Sequence, residues 1–267
     1  MNILDKIVGV KKREVALLPK RTITPEVLRE AIASRGGVRD FFGALKTRAI
    51  GDIALIAEVK KASPSKGVIS RDFDPVRIAR EYESAGASCI SVLTDVEFFQ
   101  GSLEFLSAIR KQVKIPLLRK DFIIDSRQIL EAVEHGADAI LLIVSILTPA
   151  ELQEFRLLAE SAGLAALVEV HDEKELDCAL SAGSTLIGVN NRDLKTFTVD
   201  LRTTERVAAK LFKHKPEGFL VAESGIHTRA DVERVLEAKC RGILVGESLL
   251  KPGATTIKER IQQLLHG

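Results

Sequence analysis

Ser84-Ala-Gly-Ala-Ser-Cys-Ile-Ser-Val92, Glu134-His-Gly-Ala-Asp-Ala-Ile-Leu-Leu142 and Ser181-Ala-Gly-Ser-Thr-Leu-Ile-Gly-Val189 are three versions of one phrase: a helix end, a glycine, then a short apolar strand. A fourth, Glu237-Ala-Lys-Cys-Arg-Gly-Ile-Leu-Val245, carries Lys239 where the others carry glycine. Gly86, Gly136 and Gly183 lie 50 and 47 residues apart and Lys239 follows 56 later, so each interval holds two strand-helix units. Four further apolar runs, 53–59, 116–119, 165–170 and 219–222, interleave with these phrases to give eight strands. Amphipathic stretches such as 75–85, 126–135, 150–162, 173–181 and 229–238 separate them. Near-continuous apolar strands alternating with helices indicate a parallel sheet buried on both faces. Eight such units predict an α/β fold, the closed (β/α)8 or TIM barrel. The competing doubly wound sheet lacks the Gly-x-Gly-x-x-Gly turn it would place after its first strand.

Working outward, residues 1–48 precede the first strand and carry helical patterning. The expected organisation is one domain, 1–267, with a helical N-terminal extension or lid (1–48) on a barrel (49–267). Lys11, Lys12 and Arg13 are expected on a solvated face of that extension. With 267 residues, 46% of them hydrophobic, the chain can bury a large core without metal or disulfide staples. Disordered, collagen-like and mini-protein classes are excluded. Lys+Arg number 39 against 37 Asp+Glu, with no basic block among aromatics, so nucleic acid is not an expected partner. Cys89, Cys178 and Cys240, odd in number and widely spaced, read as reduced core residues. The N-terminus contains Asp5 and no apolar signal region. The longest apolar run, 137–147, is broken by Asp138 and Ser145 and falls short of the ~20 residues that span a bilayer. A cytoplasmic monomer without membrane segments is expected.

Barrels of this kind carry their chemistry at the carboxyl ends of the strands. Those ends hold Glu58 and Lys60, then Lys120, Glu169, Asn190 and Arg192, Glu223 and Ser224, and finally Gly246 and Glu247. Glu58 and Lys60 are two apart, so both project to one side of a strand that is otherwise apolar. Charges in a barrel mouth lose hydration and must be paired or useful. Glu223-Ser-Gly-Ile and Val245-Gly-Glu-Ser read as glycine turns leading into helices, where backbone N–H groups can grip a phosphate. His135, His171, His214, His227 and His266 show no metal-ligand spacing. His171 and His227, each followed by a capping-type residue, are expected in loop and capping roles. No Gly-x-Ser-x-Gly elbow or activated cysteine is present, which disfavours acyl-enzyme chemistry.

Ile56-Ala-Glu-Val-Lys-Lys-Ala-Ser-Pro-Ser-Lys-Gly, Phe99-Gln-Gly-Ser, Leu118-Arg-Lys-Asp-Phe, Leu167-Val-Glu-Val-His, Ile187-Gly-Val-Asn-Asn-Arg-Asp-Leu, Val221-Ala-Glu-Ser-Gly-Ile and Val245-Gly-Glu-Ser-Leu together resemble the indole-3-glycerol phosphate synthase family over most of the chain from residue 50. The first and the Asn-Asn-Arg-Asp blocks are the most specific; Glu-Ser-Gly is shared with other phosphate-binding barrels. The resemblance implies ring closure, decarboxylation and dehydration of 1-(2-carboxyphenylamino)-1-deoxyribulose 5-phosphate, a phosphorylated small molecule, without a cofactor or metal. It implies Lys120 as general acid toward the ketone oxygen and Glu169 as base or acid-base partner for dehydration. Lys60 would hold the anionic groups, or exchange roles with Lys120, a choice the sequence leaves open. Glu58 and Asn190 would position these groups, Arg192 and Ser63 bind the carboxylate, and Glu223 hydrogen-bond the sugar hydroxyls or nitrogen. Ser224, Gly225, Gly246 and Glu247 would supply phosphate-binding backbone, with the Glu247 side chain pointing away. Phe122, Leu142, Ile226 and Leu244 would sandwich the anthranilate ring. Phosphoribosylanthranilate isomerase, a related barrel, should present a thiol base and an acid where this chain has Glu58, Lys60 and Asn190. A catalytically silent scaffold should have lost Lys120 or Glu169, and both are present.

Overall fold

The computed structural model describes residues 3–47, 52–64, 67–69, 72–193, 196, 198–250 and 255–266. Ser65 and Lys66 of the first motif, and the 48/49 boundary drawn above, lie outside the described residues. Eight parallel strands close on themselves: β1 (Ala54–Val59), β2 (Cys89–Leu93), β3 (Leu117–Lys120), β4 (Ala139–Ile143), β5 (Ala165–Val170), β6 (Leu186–Asn190), β7 (Phe219–Glu223) and β8 (Gly242–Val245), with β8 pairing β1. Ahead of the barrel come α1 (Ile3–Leu17), α2 (Pro25–Ser34) and α3 (Phe41–Thr47). The crossover helices are α4 (Pro75–Ser84), α5 (Leu103–Arg110), α6 (Ser126–Glu134), α7 (Pro149–Ser161), α8 (Glu173–Ser181), α9 (Arg202–His214) and α10 (Arg229–Glu237), and α11 (Glu247–Leu250) and α12 (Ile257–His266) follow β8. No helix among the described residues is long and apolar enough to cross a membrane.

The repeated phrase is a repeated helix stop. After α4, the N–H of Gly86 bonds the Glu83 carbonyl and that of Ala87 the Tyr82 carbonyl. The same two bonds recur at Gly136–Ala137, Gly183–Ser184 and Lys239–Cys240. This double closure satisfies the last helical carbonyls and needs a left-handed residue at its centre. Gly86, Gly136 and Gly183 supply it at φ 90°, 99° and 82°, and Lys239 is forced into it at φ 64°. Each stop is followed at once by a strand, so the chain enters β2, β4, β6 and β8 through one geometry.

Alternation along each strand divides the core in two. Ile56, Leu118, Leu141, Leu167 and Val221 pack inside the barrel. Val59, Ile90, Leu142, Val168 and Ile243 pack between strands and helices. The extension serves both ends of the barrel. At the amino end, Asp138 binds the Arg110 guanidinium at 2.6 Å and the Arg39 N–H at 2.8 Å. At the other end α1 covers the mouth, contributing Ile3, Leu4 and Ile7 to its lining. Lys11 contradicts the expectation of a solvated face: it is 2% exposed, 2.9 Å from both Asp95 after β2 and Asp121 after β3, while Lys12 and Arg13 are exposed. Burial alone would lower its pKa, but the two aspartates reverse the shift and raise it. Cys89 and Cys240 are buried and Cys178 half-buried, all as free thiols.

Because Lys239 holds the conformation that glycine holds in the other three phrases, Lys239→Gly is expected to raise stability by about 1 kcal/mol, the order of cost of a left-handed non-glycine residue. Urea unfolding measures it; a loss of stability would show that the lysine side chain outweighs the backbone strain.

Candidate active site

Inward parity brings the charges together. Glu58, Lys120, Glu169, Asn190, Glu223 and Gly246 each continue the inside-facing register of their strands, and a cavity enclosing about 1180 Å³, open mouth included, rises above them. Its walls include every site residue expected from sequence except Leu142. Leu142 is fully buried against the helical layer, one residue out of phase; Leu141 and Ile143, on the inward parity of β4, line the cavity instead. Phe122 and Phe99 lie across the mouth with ring centroids 6.0 Å apart.

Lys120 is the hub. Its Nζ lies 3.2 Å from Glu169 Oε2 and 3.1 Å from Glu223 Oε2. Burial works to lower its pKa, but Glu169, Glu223 and Glu58 together raise it, so it is an ammonium in the resting site. Glu169 Oε1 accepts from Asn190 Nδ2 at 3.2 Å. Burial would raise the Glu169 pKa; Lys120 and His171 overturn that and hold the carboxyl well below the usual range. Lys60 pairs with Glu58, whose backbone carbonyl accepts from the buried Tyr82 hydroxyl at 3.1 Å. Arg192 and Ser63 reach the cavity from the loops after β6 and β1, Ser63 on a short hairpin in which Ala62–Ser63 pairs antiparallel with Gly67–Val68.

Two glycines make room for carboxylates. A Cβ at Gly188 would stand 2.2 Å from Glu223 Oε1, and one at Gly246 would stand 2.7 Å from Glu58 Oε1. Gly246 therefore serves the acid on β1 as well as the turn into α11. The turn after β7 differs from the expectation. Ser224 and Gly225 are left-handed (φ 62° and 81°), but α10 starts only after Thr228, and Thr228 and Asp231 close its N-terminus as a capping box. The donors near Gly225 are thus loop amides and not the end of a helix. Three features escaped the sequence reading: the Gly188 space, the Lys11–Asp121 pair beside Lys120, and the His171 side chain. Asp172 and Thr228 are caps as expected, but the His171 ring faces Glu169. Its spacing, two residues beyond Glu169 and just past the end of β5, is the signal that joined Glu58 to Lys60. Among the described residues no group of three His, Cys, Asp or Glu could hold a metal ion.

Glu223 Oε1 is buried with no hydrogen-bond partner among the described residues. Burial, with Glu169 adding to it and Lys120 pulling the other way, pushes this carboxyl from 4.5 up to about 7. A raised carboxyl binds its proton more tightly in the folded chain, so its contribution to stability falls as pH rises through that window. Glu223→Gln removes the titration. Its unfolding free energy relative to the parent should improve steadily from pH 4.5 to 7 in urea melts; a difference independent of pH would contradict the shift.

A family model described as indole-3-glycerol phosphate synthase matches residues 4–264. Among similar proteins, the indole-3-glycerol phosphate synthase of Chlorobaculum tepidum is 51% identical over 252 residues, covering 94% of this chain and 96% of its own length. That of a Polaromonas species is 49% identical over 251 residues, 94% of each chain. The Acetivibrio thermocellus protein of the same name is 47% identical over 264 residues, 98% of each. With its eight-stranded barrel, the charged mouth around Lys120 and identity near one half across nearly its whole length, the chain belongs to the indole-3-glycerol phosphate synthase family.

Proposed function

We propose that the rim residues divide the synthase reaction among themselves as follows, with Lys120 donating the first proton. The aryl carbon that bears the substrate carboxylate attacks the ketone, driven by the anilino nitrogen lone pair. The carbonyl electron pair moves onto oxygen, and Lys120 protonates the developing alkoxide. Carbon dioxide then leaves, its bonding electrons restoring the aromatic ring. Nitrogen next expels the hydroxyl, which takes a proton from Lys60 and leaves as water, and Glu169 removes a proton from the adjacent methylene to complete the indole. The nitrogen supplies the electron push for ring closure and for loss of the hydroxyl, and receives electrons back when carbon dioxide leaves.

The observation that carries this reading is the double contact of Lys120, an ammonium at the cavity floor between Glu169 and Glu223. An acid held between two carboxylates keeps its proton until substrate draws it away from them, and its partner Glu169 is ionised and able to accept. Glu223 Oε1, lacking a partner, suits a substrate hydroxyl or the anilino N–H. Lys60, tied to Glu58, stands with Arg192 and Ser63 where a carboxylate would be held. Phosphate would meet the loop amides at Ser224 and Gly225 and those at Gly246 and Glu247. Phe122, Ile226 and Leu244, joined by Leu141, would flank the aromatic ring.

The chain contains 0 Trp and 1 Tyr, so indole emission from product stands out against it. Lys120→Ala should lower kcat by about 10² or more in that assay, the scale of a positioned general acid; unchanged turnover would remove Lys120 from the mechanism. Glu247→Gln should leave the KM for substrate equal or lower, because only its amide faces the phosphate; a large rise would assign the side chain a binding role.

A further inference from the structure

We propose that His171 is a positioning residue for the synthase reaction: clamped by Glu175, it stands behind Glu169 and keeps that carboxylate fixed toward the substrate while Lys120 turns away to deliver its proton. This rests on Glu169 being the base of the dehydration. The ring lies between two carboxylates. His171 Nδ1 is 3.0 Å from Glu175 Oε2, and the same oxygen accepts the His171 backbone N–H at 2.8 Å. On its other edge, Nε2 is 3.4 Å from Glu169 Oε1, close enough for charge pairing though not aligned as a hydrogen bond. The ring is only 14% exposed and does not line the cavity, so it can act on substrate only through Glu169.

The two oxygens of Glu169 have separate duties. Oε1 faces the scaffold, Asn190 from β6 and His171 at the end of β5; Oε2 faces Lys120 from β3. When Lys120 moves to the ketone oxygen, Oε2 is released toward the substrate while Oε1 stays anchored. Lys120 then gives up its charge, and a buried carboxylate that loses its cation gains affinity for a proton. A second cation behind it keeps it ionised until the methylene proton is available. His171 is that cation. Burial lowers its pKa, but Glu169 and Glu175 raise it to about 10, so it stays charged at neutral pH. The charged groups around the ring are Glu169 on β5 and Glu175 on α8, with Lys120 on β3 and, through it, Glu223 on β7 meeting the far side of Glu169.

Steady-state kinetics across pH on the full chain test this. His171→Gln, which keeps polarity but loses the charge, should lower kcat about 10- to 100-fold, the scale seen when a residue that orients an active group is lost. KM should change little, and the acid limb of the kcat profile should move up by about 1 unit as Glu169 becomes easier to protonate. Glu175→Gln keeps an acceptor for the His171 N–H but lowers the imidazolium pKa, so its alkaline limb should move down. Parental kcat in His171→Gln, or a reduced kcat with both limbs unmoved, would overturn the proposal. Full activity in Glu169→Gln would overturn it differently, by removing the base assignment beneath it.

Discussion

A lysine ammonium and two carboxylates share the buried floor of a barrel, and the cost of keeping three charges from water constrains the structure around them. Lys120 stays charged in spite of burial because Glu169 and Glu223 face it, with Glu58 adding to their pull, and the acids are offset by what faces them in turn. Asn190 and His171 hold Glu169, while glycine at 188 leaves the space that Glu223 occupies. Glu223 carries the least compensation, and its carboxyl is pushed upward in consequence. The same groups that make the site expensive give it an acid and a base at neutral pH, so the electrostatic burden and the proposed catalytic capacity have one source.

Stability is concentrated elsewhere. Apolar side chains fill the annulus between strands and helices, and four identical helix stops feed the chain into β2, β4, β6 and β8. The mouth is instead closed by α1, whose apolar residues Ile3, Leu4 and Ile7 face the cavity and whose Lys11 is tied to Asp95 and Asp121. Asp121 adjoins Lys120 in sequence, so the helix above the site is fastened to the strand that presents the proposed acid. On the outer side of that strand end Arg119 binds the other oxygen of Asp121 at 3.0 Å and Glu131 at 2.8 Å. Lys120 is thereby flanked by two side chains locked in place, which fixes the direction from which its ammonium enters the mouth.

The fold was legible because its information is local and repeated. The Gly86, Gly136 and Gly183 phrases encode a turn that needs one left-handed residue, and Lys239 obeys the same geometry despite its side chain. Position at the carboxyl ends of the strands made Glu58, Lys120, Glu169, Asn190 and Glu223 readable as one polar rim, and spacing placed Glu58 and Lys60 on one side. Leu142 was placed against the ring and faces the helical layer instead, because an unbroken apolar run gives no sign of which alternate residues face in. Lys11 looked solvated because its partners Asp95 and Asp121 are about a hundred residues away, beyond anything helical periodicity reports. His171 was read from the cap that follows it, although its spacing from Glu169 already placed it on the charged side. Long-range pairing of buried charge is what the sequence pattern did not carry.

In the proposed mechanism Lys120, and not Lys60, meets the ketone oxygen. A crystal structure of the protein with a substrate analogue whose ketone is reduced to an alcohol tests it most directly. The expected result is the alcohol oxygen within hydrogen-bond reach of Lys120 Nζ, about 2.6–3.2 Å, with Glu169 Oε2 released toward the adjacent methylene. The alcohol oxygen bound to Lys60, with Lys120 still held between Glu169 and Glu223, would contradict it.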